Sequence, residues 1–280
     1  MEEYAIIPME EYAITPEEAD SHFALAISYA NGDGVERSLE IAIMWYKQAA
    51  DAGHMEALNK LAHCFQYGYG TDQNYVAAIE YYQLAAINGS ISALYNLGLC
   101  YKFGTWEGQS DELAILWLKE AGEQGYLAAQ KQLGEWYSTG AAGIAQDNTK
   151  AKKWLTMAAE QDDLEAQFDL GFHYAMVEQN YEWAVFWYSK AANQGEAAAQ
   201  CYLGYCYQNG QGVEQCAEKA VKYFTLAAKQ GFELAMLELV SCYAKGFGTE
   251  QSYVKAVQWL ERAADMGSKV SKERLERVFN

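Results

Sequence analysis

Ser252 and Lys255 stand three residues apart in "SYVK", the SxxK spacing by which penicillin-recognising serine enzymes build a nucleophile. The SDN and KTG elements that complete that machinery do not occur in the chain. Ser252 also falls where another stretch places Asn74, at the start of a helix, so it reads as an N-cap. His63 and Cys64 are adjacent and could suggest a metal pair. Consecutive helical residues point about 100° apart, which prevents joint ligation. His22, His54 and His173 are scattered, and neither HExxH nor a paired Cys/His spacing occurs. "NGDGVERS" from Asn31 has the glycines of a phosphate-cradling turn but lacks the lysine that often ends one. These residues lead to an expectation of no catalysis, no metal and no cofactor.

The glycine turn has another explanation, because it returns. "YGYGTDQN" starts at Tyr67, "NGQGVEQC" at Asn209 and "KGFGTEQS" at Lys245. Gly32, Gly68, Gly104 and Gly140 are spaced by 36 residues, as are Gly210 and Gly246. A fixed period of this size marks a repeat protein. A second signature follows each turn, from "AIMWYKQAADAG" at Ala42 to "AVQWLERAADMG" at Ala256. Alanine, two large residues and two alanines fall at i, i+3, i+4, i+7 and i+8, one face of a helix. Trp45, Trp117, Trp154, Trp187 and Trp259 share one slot and read as core. A closing glycine supplies a left-handed C-cap. Before each turn lies another helix, as in "ALYNLGLCY" at Ala93, where leucine, a small residue and an aromatic recur.

Each unit is thus helix, glycine loop, helix. Seven units end at Gly53, Gly89, Gly125, Asp162, Gly195, Gly231 and Gly267. The irregular fourth and fifth units change length in the loop, at "TGAAGIAQD" and "MVEQNYE", and the latter has lost its GxG. The reading divides the chain into an N-terminal arm at 1–15, seven repeats at 16–267 and a capping helix at 268–280. "TPEE" at Thr15 predicts a capping box with the first helix starting at Pro16.

Only two prolines occur, Pro8 and Pro16, and about half of the 280 residues are apolar, which suits long helices around a continuous core. The net charge of −18 disfavours nucleic acid and anionic membranes. No apolar run approaches a membrane span. The acidic start "MEEYAIIP" does not resemble a secretory signal, so a cytoplasmic location is expected. Cys64, Cys100, Cys206 and Cys242 share one repeat slot and read as small buried residues. Pairing of Cys206 or Cys201 with Cys216 is the alternative.

These motifs resemble the Sel-one-like repeat (SLR) family, relatives of tetratricopeptide repeats, over roughly residues 17–280. The resemblance implies an all-α fold: an α/α solenoid, a right-handed superhelix of about seven helix-loop-helix repeats with a C-terminal capping helix. It implies a non-catalytic adaptor or scaffold that holds a protein or peptide partner in a concave groove. A toxin-neutralising (immunity) protein or a translocated effector, also acting by protein binding, is the alternative.

Transferring the inward-facing positions of tetratricopeptide-like repeats gives a candidate groove. It comprises Phe23, Ile27, Tyr67, Tyr95, Leu99, Phe103, Phe168, Phe172, Met176, Tyr205 and Leu237, with Cys201 in the same series. Two apolar stripes emerge, on repeats three and five, separated by the polar Lys131, Glu135 and Thr139. The competing reading is that curvature buries these side chains against neighbouring units. Outside the repeats, "MEEYAIIP" is followed at once by "MEEYAITP". Tyr4 and Tyr12 in this duplicated arm are candidates for a docking peptide or a modification site, unless the duplication is accidental.

Overall fold

Thr15 fixes where the first helix begins. Its hydroxyl accepts the Glu18 amide at 3.3 Å, while the Thr15 amide donates to the Glu18 carboxylate at 2.9 Å. This is the reciprocal capping box expected of "TPEE", with Pro16 at the first helical position. The structure is a computed structural model that describes residues 14–104, 106–141, 143–269, 271–273 and 275. Tyr4 and Tyr12 lie outside the described residues.

Among the described residues there is no strand, and fourteen helices follow one another. They are α1 (Pro16–Asn31), α2 (Leu39–Asp51), α3 (Met55–Tyr67), α4 (Tyr75–Ile87), α5 (Ile91–Phe103), α6 (Asp111–Glu123) and α7 (Leu127–Thr139). Then come α8 (Asn148–Ala159), α9 (Leu164–Met176), α10 (Tyr181–Asn193), α11 (Ala197–Asn209), α12 (Ala217–Lys229), α13 (Glu233–Lys245) and α14 (Tyr253–Asp265). Lys269, 271–273 and Leu275 are helical too, at the position expected of a cap. The chain forms two compact units. One runs to Leu133 and includes Gly140–Ala145; the other takes Gly134–Thr139 and continues from Gln146. In the first unit α1 to α6 pack each on the next, and in the second so do α8 to α14. This is an α/α solenoid built from consecutive helix pairs.

The same loop chemistry closes each pair. The aromatic four residues after the first-helix leucine offers its carbonyl to the amide that caps the second helix. Ser38 donates to Tyr29 at 3.0 Å, Asn74 to Phe65 at 2.7 Å, and Ser252 to Tyr243 at 2.8 Å. The Ser110, Asp147, Asn180 and Cys216 amides make the equivalent bond to Tyr101, Tyr137, Tyr174 and Tyr207. A loop glutamine adds a side-chain bond where it is present, as from Gln73 to the Gln66 carbonyl at 2.8 Å.

The two loop glycines have different jobs. Gly68 and Gly210 end their helices in the left-handed region, with φ of 72° and 67°. The second glycine, also left-handed, nests on the preceding repeat. A Cβ at Gly70 would strike Leu39, at Gly212 the Tyr181 carbonyl, and at Gly248 the Ala217 carbonyl. Gly104 departs from the expected series: it is extended, at φ −66° and ψ 135°. The next glycine of the motif is replaced there by Trp106, whose indole Nε1–H donates to the Cys100 carbonyl at 3.3 Å. In the fifth repeat, which lacks the motif, Gln179 takes the left-handed conformation at φ 52°. At the end of the fourth, Asp162 does so at φ 61°.

The core corrects the reading of the tryptophan slot. Trp154 and Trp187 are buried, but Trp45, Trp117 and Trp259 are only half-buried. The deep position is the next residue: Tyr46, Tyr82, Leu118, Leu155, Tyr188, Phe224 and Leu260 are all buried. The small residue after the first-helix leucine makes room for it. A methyl group on Gly98 would lie 2.6 Å from Leu118, and one on Gly134, Gly171 or Gly204 would lie 2.7 Å from Leu155, Tyr188 or Phe224. Cys64, Cys100, Cys206 and Cys242 are buried in their shared slot, and all six cysteines are unpaired, Cys216 and Cys201 included.

Candidate functional site

Ser252 caps α14: its hydroxyl accepts the Lys255 amide at 3.3 Å, and the Lys255 ammonium lies 5.3 Å from the centre of the Tyr243 ring. The hydroxyl is engaged by the backbone, and the lysine is directed away from it. His63 is exposed and packs on Tyr67 and Tyr69, whereas Cys64 is buried. Among the described residues no group of three or more His, Cys, Asp or Glu is placed to hold a metal ion. None of the described helices is long and apolar enough to cross a membrane.

The groove candidates fall in the two units and are taken unit by unit. In the first, Phe23 packs on Tyr46 at 5.9 Å and His54 at 4.4 Å between ring centres, and Ile27 also lies against the core. These two side chains serve packing as well as any surface. Tyr67 is exposed and stacks on Tyr69. Tyr95 is half-buried against Tyr126, with ring centres 5.2 Å apart, and Leu99 is half-buried. Phe103 is 58% exposed at the end of α5.

The second unit gathers more. Phe168, Phe172 and Met176 lie along α9, and Tyr205 on α11. Phe172 is 39% exposed and Met176 54%, while Phe168 and Tyr205 are half-buried. Tyr202 of α11 joins them: its ring lies 5.5 Å from Phe168, 5.7 Å from Phe172 and 6.1 Å from Tyr205. The rings meet tilted or edge-on, geometries that aromatic quadrupoles favour. Beneath, Phe168 and Tyr202 rest on the deep Tyr188, and Tyr205 on Phe224. The Tyr205 hydroxyl donates to Glu238 of α13 at 2.8 Å. Burial and that bond push the Tyr205 phenol far above its usual pKa, so it is held as a donor.

Between α9 and α11 a pocket of about 190 Å³ opens beside Met176, Tyr202 and Tyr205, with Tyr188 in its lining. The Tyr188 hydroxyl is buried without a hydrogen-bond partner. Such a group costs free energy unless something pairs with it. Leu237 of α13 is half-buried. Cys201 corrects the transferred positions: it is fully buried, and burial pushes its thiol up to about 12.

Tyr202 escaped the sequence reading. It sits one residue before Leu203, whereas the transferred rule took residues two before and two after the leucine. The structure uses that neighbouring position to span repeats. Tyr202 meets Phe168 and Phe172 of the preceding unit, and Glu238, one before Leu239, meets Tyr205 in the same way. An aromatic at that slot was the available signal.

A Sel1 repeat model matches the chain seven times, at residues 19–54, 56–90, 91–126, 127–163, 164–196, 197–232 and 232–268. A protective antigen of uropathogenic Escherichia coli displaying an SLR fold is 31% identical with a TM-score of 0.73. That match covers 93% of this chain and 56% of the antigen, so the chain spans little more than half of that protein's length. A Sel1 repeat protein from Oxalobacter formigenes is 30% identical with a TM-score of 0.72, over 93% of this chain and 76% of that one. The C-terminal part of a TPR repeat-containing protein from Cytophaga hutchinsonii shares the fold at 16% identity, with a TM-score of 0.54 over 92% of this chain and 98% of that one. No curated protein matches the sequence. Sel1 repeats generally form a non-catalytic scaffold for protein–protein interaction. Seven matched units spanning almost all of residues 19–268 show that the chain belongs to the Sel1 repeat family.

Proposed function

We propose that the chain is a non-catalytic adaptor, acting in the cytoplasm, which binds a protein partner through the α9–α11 face of its second unit. The observation that carries this reading is the joined cluster of Phe168, Phe172, Tyr202 and Tyr205. Phe172 remains exposed in it, with the exposed Met176 beside it on α9, while Phe168, Tyr202 and Tyr205 are half-buried against the core. Exposed aromatics in a contiguous group mark interaction surfaces, and aromatic anchors carry much of the binding energy at interfaces. The adjoining pocket and the unpaired Tyr188 hydroxyl would receive an apolar side chain with a polar tip from the partner. Tyr95, Leu99 and Phe103 give the first unit a smaller apolar strip of its own.

Affinity capture followed by mass spectrometry would name partners, and binding would then be measured with purified components. Phe172→Ala and Tyr202→Ala should each weaken binding about thirtyfold, the equivalent of an anchor worth about 2 kcal/mol. A partner that binds both variants as it binds the parent would sink the proposal.

A further inference from the structure

The pocket of about 190 Å³ between α9 and α11 has an unpartnered polar group in its lining. Tyr181 and Tyr188 of α10 and Tyr202 and Tyr205 of α11 line it, with Met176 and Cys206 as further apolar wall. Tyr188 is 1% exposed, and its hydroxyl, shielded from water, makes no hydrogen bond. Burial first, and then the neighbouring Cys206, Tyr202, Asp169 and Tyr181, push its phenol far above the usual pKa, so the proton stays on. A group in that state costs free energy until something donates to it or accepts from it. Among the described residues that line the pocket there is no charged side chain. Asn209, which is exposed, and Gln211 add carboxamides.

We infer that this pocket takes a tyrosine side chain of the protein partner, its phenol hydroxyl paired with that of Tyr188. This rests on the reading of the α9–α11 face as the binding face, since Tyr202 and Tyr205 belong both to the aromatic cluster and to the pocket lining. The size admits a ring, because an apolar cavity of about 150 Å³ already holds benzene. The walls favour one. Tyr202 lies tilted on Tyr188 at 5.7 Å and edge-on to Tyr205 at 6.1 Å, and a further ring can join in the same geometries. A charged side chain would be desolvated there without a counter-charge. Leucine, methionine or phenylalanine would fill the space but leave the Tyr188 hydroxyl unpaired. Serine and threonine hold their hydroxyl next to the backbone, too short a reach for a buried partner. A phenol places its hydroxyl at the far end of a ring, where it both donates and accepts. The carboxamides of Asn209 and Gln211 would then bond the partner's backbone beside the ring.

The test uses the full chain and three small probes, the N-acetyl amides of tyrosine, phenylalanine and lysine. Backbone amide resonances of Tyr188 and Cys206 would be followed by NMR as each probe is titrated. Tyrosine amide should give saturable shifts at both residues and bind about tenfold more tightly than phenylalanine amide, the worth of one hydrogen bond made to a buried hydroxyl. Lysine amide should give no saturable shift. Tyr188→Phe keeps the ring and removes the hydroxyl. In that variant the preference for tyrosine should vanish while the melting temperature holds or rises, because the unpaired hydroxyl is gone. Absent or non-saturable shifts, equal binding of tyrosine and phenylalanine, tighter binding of lysine, or an undiminished preference in Tyr188→Phe would each overturn the inference. Phe172 does not line this pocket, so Phe172→Ala reads the binding face separately. A failed titration with partner binding still weakened in Phe172→Ala leaves the face standing and removes only the tyrosine. A successful titration with partner binding unchanged in Phe172→Ala and Tyr202→Ala removes the face, and with it the assignment of the tyrosine to the partner.

Discussion

Gln194, at the end of α10, donates its side-chain amide to Oε1 of Gln167 at 2.9 Å. Gln167, fully buried in α9, donates in turn to the Ala159 carbonyl at 3.3 Å. The arrangement repeats one unit on, where Gln230 donates to Gln200 at 3.0 Å and Gln200 to the Ala192 carbonyl at 3.2 Å. Each relay adds a side-chain donor to a helix-end carbonyl that also accepts a turn amide, from Asp162 at Ala159 and from Gly195 at Ala192. Gln167→Leu should therefore destabilise the fold by about 0.5–1.5 kcal/mol, the net worth of the hydrogen bonds removed, since the carbonyl keeps its turn amide and the exposed Gln194 turns to water. Urea unfolding of the variant would measure this, and an unchanged midpoint would show that the relay contributes nothing.

The loop glycines allow strain and collision to be separated. Gly34 and Gly212 both have positive φ, 75° and 69°. A Cβ at Gly34 meets nothing within 4 Å, while one at Gly212 meets the Tyr181 carbonyl. Gly34→Ala should cost about 1–2 kcal/mol from backbone strain alone. Gly212→Ala should cost at least about 1 kcal/mol more, because the loop must lift off α10. Equal losses in thermal melts would refute the nesting of this loop on the preceding repeat.

His173 makes stability depend on pH in a defined window. Burial of its ring holds the folded pKa below the unfolded value of about 6.5, so the unfolded chain takes up the proton first. The contribution is present above about 6.5 and is lost as pH falls from there toward the folded pKa. Between pH 7.5 and 5.5 the parent should lose more unfolding free energy than His173→Gln. Chemical denaturation at the two pH values reads the difference, which should disappear if the ring titrates alike in both states.

The thiols should differ in reactivity by place. Burial pushes Cys100 and Cys201 up to about 12, and Cys206 and Cys242 up to about 11. Cys216 is half-exposed at the start of α12. Iodoacetamide at pH 8 should label Cys216 about tenfold or more faster than the others, because the thiolate is the reactive species and must be reached. Rapid uniform labelling of the native chain would contradict the burial.

The proposed binding face predicts that affinity and stability part company. Phe172→Ala should leave the melting temperature within a few degrees, since the ring is partly exposed at the surface. Phe224→Ala, which empties a fully buried site, should cost about 3–5 kcal/mol. A sharply lowered melting point for Phe172→Ala, with partner binding retained, would mean that Phe172 is packing.

Much of the fold was legible because its determinants are local. The Thr15 box, the Ser252 cap and the left-handed Gly68 and Gly210 each depend on a few consecutive residues. Depth was harder. Trp45 and Tyr46 are both apolar and adjacent, and helical period does not rank them. What ranks them is the facing helix, where a small residue such as Gly171 admits Tyr188. Gly104 failed for a related reason, since Trp106 altered the loop around it. At the candidate site, the placing of Phe168, Phe172, Met176 and Tyr205 on one face was readable from position within a repeat. Tyr202 was not, because its role exists only where α11 meets α9.

The glutamine relays also bear on how such a chain can change length. The matched amides, Gln167 with Gln194 and Gln200 with Gln230, sit inside single repeats, at 164–196 and 197–232. The links to the preceding repeat go to backbone carbonyls, which any sequence offers, and in the fifth repeat also to the Asp162 carboxylate. Met236 and Met266 fill the corresponding pair of slots in the seventh repeat with apolar side chains. A whole repeat is therefore a transferable cassette: copied or excised entire, it carries its own amide partner with it. In an exchange with the seventh repeat, a breakpoint between the two helices would join a glutamine slot to a methionine slot and strand a buried amide. Gain and loss of units in this lineage should accordingly run in complete helix pairs.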